Sequence, residues 1–259
     1  MLPWFEFTTV SLGPIPVQVW GFWVALGVVV GAVILTRRLG RLGVSKELPL
    51  DLALAITVGG FIGARIFHVV FYEPQFFVAH PWEIIKIWHG GLSSYGGFVG
   101  AAVGFFFFAR KSGFQKIKQR LSLLKVCDEL SFAALFAWMI GRIGCVMIHD
   151  HLGVHSSCPF AFAKPDGPRL DMAFLEILGL VPLAVFFFWA RKKHWPEGIW
   201  TGVLFVYYGV LRFILDFFRA TDIASPDARY WGLTPAQYFS ILMLMLGARL
   251  LLRVRVSKK

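Results

Sequence analysis

The feature that most constrains this chain is a series of seven apolar stretches, near residues 17–36, 51–73, 91–109, 126–148, 172–190, 197–218 and 235–252. At 1.5 Å per residue, about 20 mostly apolar residues cross roughly 30 Å of hydrocarbon. The composition agrees, with 57% hydrophobic and 17% aromatic residues and a mean hydropathy of +0.66. That is too apolar for 259 residues to hide in one soluble core. The expected fold is an all-α polytopic membrane protein with seven transmembrane helices, residues 1–259 forming a single integral membrane domain. The first stretch starts late, is long and lacks a basic region before it, so it reads as a retained span rather than a signal peptide.

Lys and Arg set the orientation, because short cytoplasmic loops hold the positive charge. Arg37, Arg38, Arg41 and Lys46 follow the first span; Arg110, Lys111, Lys116, Lys118 and Arg120 the third; Arg191, Lys192 and Lys193 the fifth; Arg253, Arg255, Lys258 and Lys259 the seventh. The intervening segments are poorer in cations. The N-terminus is therefore expected outside and the C-terminus in the cytoplasm. The same distribution explains the net charge of +11: the cations sit beside spans, where anionic lipid headgroups are the expected partners and nucleic acid is not.

Soluble segments are few. The largest outward loop runs over residues 149–171 and carries Pro159, Pro165, Gly167 and Pro168; another runs from Arg219 to Leu233. The three cysteines show no CxxC or metal spacing, and Cys127 and Cys145 fall inside the fourth span. Small residues recur every four positions at Gly27 and Gly31, Gly59 and Gly63, and Gly96, Gly100 and Gly104, which predicts closely approaching helices.

Charges within the spans are costly, at least roughly 2.5 to 3.5 kcal/mol each on insertion scales, and so need a partner or a polar cavity. They are Arg65, Arg142, Glu176, Arg212 and Asp216. With the orientation fixed, Arg142 and Arg212 each lie about six residues, or roughly 9 Å, below the outer boundary. Glu176, Arg65 and Tyr95 fall in the same outer half. Tyr208, Arg212 and Asp216 recur every four residues and share a helical face. Asp216 is expected to pair with Arg212 or Arg219. An arginine-rich layer open to the outer leaflet suits an anionic ligand arriving laterally, since guanidinium binds phosphate with forked donors and keeps its charge when desolvated. A phospholipid headgroup is the natural candidate.

Three motifs on these spans resemble the prolipoprotein diacylglyceryl transferases. They are Gly90-Gly91-Leu92-Ser93-Ser94-Tyr95-Gly96-Gly97, then Gly141-Arg142-Ile143-Gly144-Cys145 with Asp150 and Gly153, then Tyr208-Gly209-Val210-Leu211-Arg212 with Asp216-Phe217-Phe218-Arg219. Their order and spacing match from about Trp20 to the end of the seventh span. The resemblance implies transfer of the diacylglyceryl group of phosphatidylglycerol to the lipobox cysteine thiol in a prolipoprotein signal peptide. A thioether forms and glycerol phosphate leaves, with no metal or cofactor. It implies a multi-pass protein of the bacterial inner membrane, its active site toward the periplasmic half. Catalytic residues would be Tyr95, Asp150, Arg142 and Arg212. Substrate would also meet Arg65, Tyr208, Asp216, Glu176 and Arg219.

The chain departs from the family pattern where Tyr95 replaces a common histidine, where Cys145 stands for asparagine and where Asp150 stands for glutamate. Tyrosine, with a pKa near 10, is a poor base near neutral pH, though its hydroxyl can orient a phosphate or thiol. His149, Asp150 and His151 are adjacent. They read as interfacial exposed histidines, as a replacement base at His149 or His151, or, least favoured, as metal ligands. Two other functions fit the arginine layer: an anionic-solute transporter, opposed by the apolar inner halves Ala101 to Ala109 and Val181 to Ala190, and a non-catalytic lipid-binding relative.

Overall fold

The computed structural model describes residues 1–13, 15–86, 90–110, 114–115, 121–223 and 226–256. The cations Lys111, Lys116, Lys118, Arg120, Lys258 and Lys259 lie outside the described residues. Two compact units are present, one made of Met1–Val33 with Leu124–Lys259 and the other of Ile34–Leu123.

The described residues are mostly helical. Helices α1 (Val19–Gly40), α2 (Glu47–Phe71), α5 (Leu123–Ile148), α6 (Met172–Ala190), α7 (Ile199–Leu215, continued by a 3-10 turn Asp216–Phe218) and α8 (Pro235–Val256) coincide with six of the expected stretches. All six are long and apolar enough to cross a membrane. The remaining stretch forms α4 (Ser94–Arg110), which has 17 residues. The chain is a polytopic, all-α membrane protein.

The 34–123 unit contains α2, the short helix α3 (Pro74–Ala79), a 3-10 turn (Pro81–Ile85) and α4. Its glycine ridges do what their spacing predicts. A Cβ on Gly63 would lie 2.3 Å from the carbonyl oxygen of Gly96, and one on Gly100 would lie 2.1 Å from that of Gly59. No side chain fits there, so α2 and α4 pack backbone to backbone.

In the other unit, a Cβ on Gly27 of α1 would lie 2.5 Å from the Ala137 carbonyl oxygen of α5. Helix ends in this unit are capped by buried acids. Asp171 accepts from the Phe174 amide at 2.8 Å and starts α6. The residue preceding α7 is Gly198, with φ of 90° and no side chain to cap with. Asp128 of α5 takes over that role, accepting from the Gly198 and Thr201 amides at 2.7 and 2.9 Å.

The segment 149–171, expected as an outward loop, is more ordered than a bare loop. Strands β3 (Leu152–His155) and β4 (Arg169–Asp171) pair antiparallel, following the separate hairpin of β1 (Thr9–Leu12) and β2 (Ile15–Gln18). Arg169 donates to both carboxylate oxygens of Asp222 at 2.9 and 2.6 Å, tying this hairpin to the segment after α7.

Candidate active site

Glu176 of α6 is the centre of the polar layer and is fully buried. Five donors from two other helices converge on it. Arg142 Nε and Trp138 Nε1 of α5 donate to Oε1 at 2.9 and 2.7 Å. Arg142 Nη2 donates to Oε2 at 2.8 Å. From α7, Arg212 Nη1 donates to Oε2 at 3.0 Å and the Tyr208 hydroxyl to Oε1 at 3.1 Å. The depth comparison thus brought together residues from three separate spans. Arg142, which has no acid one turn away on its own helix, finds one across the bundle.

Arg212 Nη2 also meets Asp216 Oδ1 at 3.1 Å, one turn along the same face. Asp216 is buried and accepts from the Thr234 hydroxyl. Two arginines and two carboxylates therefore make a formally neutral set. Arg219 is taken instead by Asp227. The Arg142 Nη1 group faces the Cys145 thiol at 3.7 Å. Sulfur is a weak acceptor, so this donor is the easiest in the cluster to hand to an incoming anion.

Asp150 and His151 follow the end of α5. One ligand atom each of Cys145, Asp150 and His151 lies within 4.8 Å of the other two. Burial pushes the Asp150 carboxyl up to about 6, against the pull of Arg142 and Arg219. Burial, with the charges of Arg142, Arg219 and Arg212, holds His151 well below the usual imidazole range. A surround of three guanidiniums opposes a bound cation, although the donor types alone would suit one.

His149 corrects the reading of an exposed interfacial histidine. It is 5% exposed, stacks on Trp4 with ring centroids 4.1 Å apart, and its Nδ1 lies 2.7 Å from Asp171 Oδ2. Its Nε2 is buried without a hydrogen-bond partner. The backbone φ of 48° turns the chain here and lets the ring fold back under the N-terminal segment.

In the 34–123 unit, the Arg65 guanidinium is occupied by backbone. Nε donates to the Ile84 carbonyl at 2.8 Å, Nη1 to Gly90 and Gly91 at 2.6 and 2.9 Å, and Nη2 to Glu83 and Lys86 at 2.5 and 3.4 Å. All five N–H groups are committed to the segment before α4. Gly91 must be glycine twice over: its φ is +72°, and a Cβ would sit 2.6 Å from His68 Nε2. Ser93, buried before α4, accepts from the Gly96 amide through Oγ at 3.4 Å. Tyr95 stands partly buried in the first turn of α4.

Sequence reasoning missed Trp138, Asp128, Asp171 and Thr234. Asp128, an acid early in the fourth stretch, had a readable signal in the uncapped glycine before the sixth. Trp138 lies one helical turn before Arg142, but an indole in an aromatic-rich chain gives no sign of its partner.

A family profile described as prolipoprotein diacylglyceryl transferase matches residues 8–253. Three similar proteins bear the name phosphatidylglycerol–prolipoprotein diacylglyceryl transferase. That of Nitrosomonas europaea is 32% identical over 257 residues, covering 96% of this chain and 90% of the relative. That of an Azoarcus species is 30% identical, covering 96% and 95%. That of Nitratidesulfovibrio vulgaris is 28% identical, covering 96% and 94%. With the profile spanning nearly the whole chain and the arginine motifs meeting around Glu176, the chain belongs to the prolipoprotein diacylglyceryl transferase family.

Proposed function

We propose that this protein transfers the diacylglyceryl group of phosphatidylglycerol to the lipobox cysteine thiol of a prolipoprotein, forming a thioether and releasing glycerol phosphate. The observation that carries the reading is the pair of arginines, Arg142 and Arg212, aligned by one buried glutamate in a chain whose relatives are named for this reaction.

The chemistry divides among these residues. The thiol has an ordinary pKa near 8.5 and has to lose its proton to attack the glycerol carbon that bears the phosphate. The bond from that carbon to the phosphate oxygen breaks, and charge grows on the departing phosphate. Arg142 and Arg212 hold that phosphate, and their orientation, set before reaction by Glu176 and Tyr208, stabilises the growing charge without reorganisation. Asp216 fixes Arg212, and Arg219 closes the outer side. Asp150 accepts the thiol proton, and the Tyr95 hydroxyl orients substrate. Arg65 acts by shaping the glycine-rich segment before α4 rather than by touching lipid.

The protein has seven spans in one integral domain of the bacterial inner membrane, α4 being the shortest, with the N-terminus outside, the C-terminus cytoplasmic and the site in the periplasmic half. The alternating Lys and Arg bias supports this arrangement. Reporter fusions at the two termini test it, and both reporting the same side would refute it.

The activity is tested by incubating the purified protein with a lipobox peptide in phosphatidylglycerol vesicles and weighing the peptide by mass spectrometry. A mass gain of one diacylglyceryl group is expected. Equal transfer from phosphatidylethanolamine would remove the headgroup argument, and no transfer from either lipid would refute the function.

A further inference from the structure

We propose that His151 is a positioning residue which, held by Arg219, presents its N–H to the Asp150 carboxylate and so sets how readily Asp150 takes a proton. The inference rests on the transferase reading, in which Asp150 receives the proton of the substrate thiol.

The geometry comes first. Arg219 Nη1 lies 3.4 Å from His151 Nδ1. Guanidinium can only donate, so Nδ1 must offer its lone pair and the proton of the neutral ring sits on Nε2. That nitrogen faces Asp150 Oδ1 at 3.8 Å, beyond hydrogen-bond distance, and the proposal requires a side-chain turn that brings the two into contact. Arg219 is itself anchored, since its Nε is paired with Asp227. The order Asp227, Arg219, His151, Asp150 is thus a chain of partners running from the segment after α7 to the end of α5. The two inner members are not sealed off: the His151 and Asp150 side chains are 20% and 34% exposed.

The charges around the pair assign the roles. Burial, and then the charges of Arg142 of α5, Arg219 and Arg212 of α7, keep the His151 imidazole neutral, so it does not compete for the thiol proton. Asp150 faces Arg142, Arg219 and the Asp171 carboxylate, with the Cys145 thiol beside it. Loss of part of its hydration lifts its carboxyl to about 6 even though 34% of the side chain stays exposed, close enough to neutrality for useful proton transfer in both directions. The other nearby imidazole, His149, is walled off: it is 5% exposed, with its ring packed against Trp4, Phe5 and Phe162.

The step balances. The thiol proton passes to an Asp150 oxygen as sulfur bonds to the glycerol carbon. The carbon–oxygen bond breaks with its electron pair going to the phosphate. Asp150 then returns the proton to the departing phosphate monoester and is a carboxylate again. His151 exchanges no proton. It donates to the charged form of Asp150 and lowers the energy of that form.

The test is transfer rate against pH for the full chain in phosphatidylglycerol vesicles. In His151→Leu the carboxylate loses a donor, so the acid limb should move to higher pH by about one unit. His151→Gln keeps an acceptor for Arg219 and an N–H for Asp150, and should restore the limb. An unshifted limb in a folded His151→Leu protein would overturn the proposal. So would His151→Gln losing transfer about a hundredfold at every pH with a native melting curve, since the imidazole itself would then be the acceptor. Loss of wild-type transfer on chelation, restored by zinc alone, would overturn it in favour of a metal held by Cys145, Asp150 and His151. Asp150→Asn separates the two levels: full transfer there would sink the acceptor assignment beneath the proposal, whereas a strong loss with no effect of His151 would sink the proposal alone.

Discussion

Arg142 and Glu176 meet fork to fork, Nε and Nη2 of the guanidinium reaching the two carboxylate oxygens at 2.9 and 2.8 Å. The same carboxylate receives Arg212. One acid therefore fixes the direction of both guanidiniums proposed to hold the phosphate. Glu176→Gln keeps the shape but removes the charge, leaving two buried guanidiniums with one fewer anion. The loss should destabilise the fold by about 3 to 5 kcal/mol and reduce transfer by more than about a hundredfold. Thermal unfolding in detergent and the peptide assay measure the two effects. A variant as stable and as active as the parent would show that Glu176 orients nothing.

Arg142 is separable from its structural partner by a substitution that keeps the charge. Lysine at this position can pair with Glu176 at one point but cannot bridge both oxygens and also extend a third donor toward a ligand. Arg142→Lys should therefore fold better than Arg142→Ala while transferring nearly as poorly, orders of magnitude below the parent. Near-normal transfer in either variant would take the phosphate away from this residue.

How much of this was legible in the sequence depends on the range of the interaction. The helices were readable because an apolar stretch long enough to cross a bilayer is a property of consecutive residues, and the Gly59, Gly63, Gly96 and Gly100 ridges because helical spacing is local. The meeting of Arg142, Glu176 and Arg212 was readable through a different constraint: the membrane orders residues by depth even when they are far apart in the chain. Depth cannot distinguish what a side chain touches sideways. Arg65 was placed in the same layer and expected at the lipid, yet its donors go to carbonyls of Glu83, Ile84, Lys86, Gly90 and Gly91. Backbone acceptors leave no mark in a sequence. His149 was misread for a similar reason, because its burial depends on Trp4 and Asp171, far away in the chain.

Arg65 offers a direct separation of a structural role from a ligand-binding one. Replacing it by alanine strips several carbonyls of their donors, and unsatisfied buried acceptors cost about 1 to 3 kcal/mol each before water relieves some of them. Arg65→Ala should lower the unfolding temperature, with activity falling through loss of folded protein. Lysine should recover little, since one ammonium cannot reach acceptors spread over residues 83 to 91. If Arg65→Ala instead unfolds like the parent and weakens only the concentration dependence on phosphatidylglycerol, the residue binds lipid.

Asp150 should show a conflict between stability and activity. Its carboxyl is raised from the ordinary 3.8 to about 6, with burial the largest cause. Between those values the folded protein holds a proton that the unfolded chain has released, so this group favours the fold most below about 3.8. The contribution is lost as pH rises through about 6, where the folded protein has to carry a desolvated charge. Asp150→Asn has no charge to desolvate. The variant should gain in melting temperature relative to the parent as pH goes from 4 to 7. Asp166 and Asp222, whose carboxyls are lowered mainly by hydrogen bonds from Lys164 and Arg169, change stability in the opposite sense. They are present in both proteins, so the difference between the two melting curves isolates Asp150. Transfer should run the other way, the parent gaining rate as pH rises through about 6 and the variant remaining slow throughout. A melting difference that stays flat between pH 4 and 7 would mean that Asp150 ionises as an ordinary solvated carboxylate, and the pH dependence of transfer would need another source.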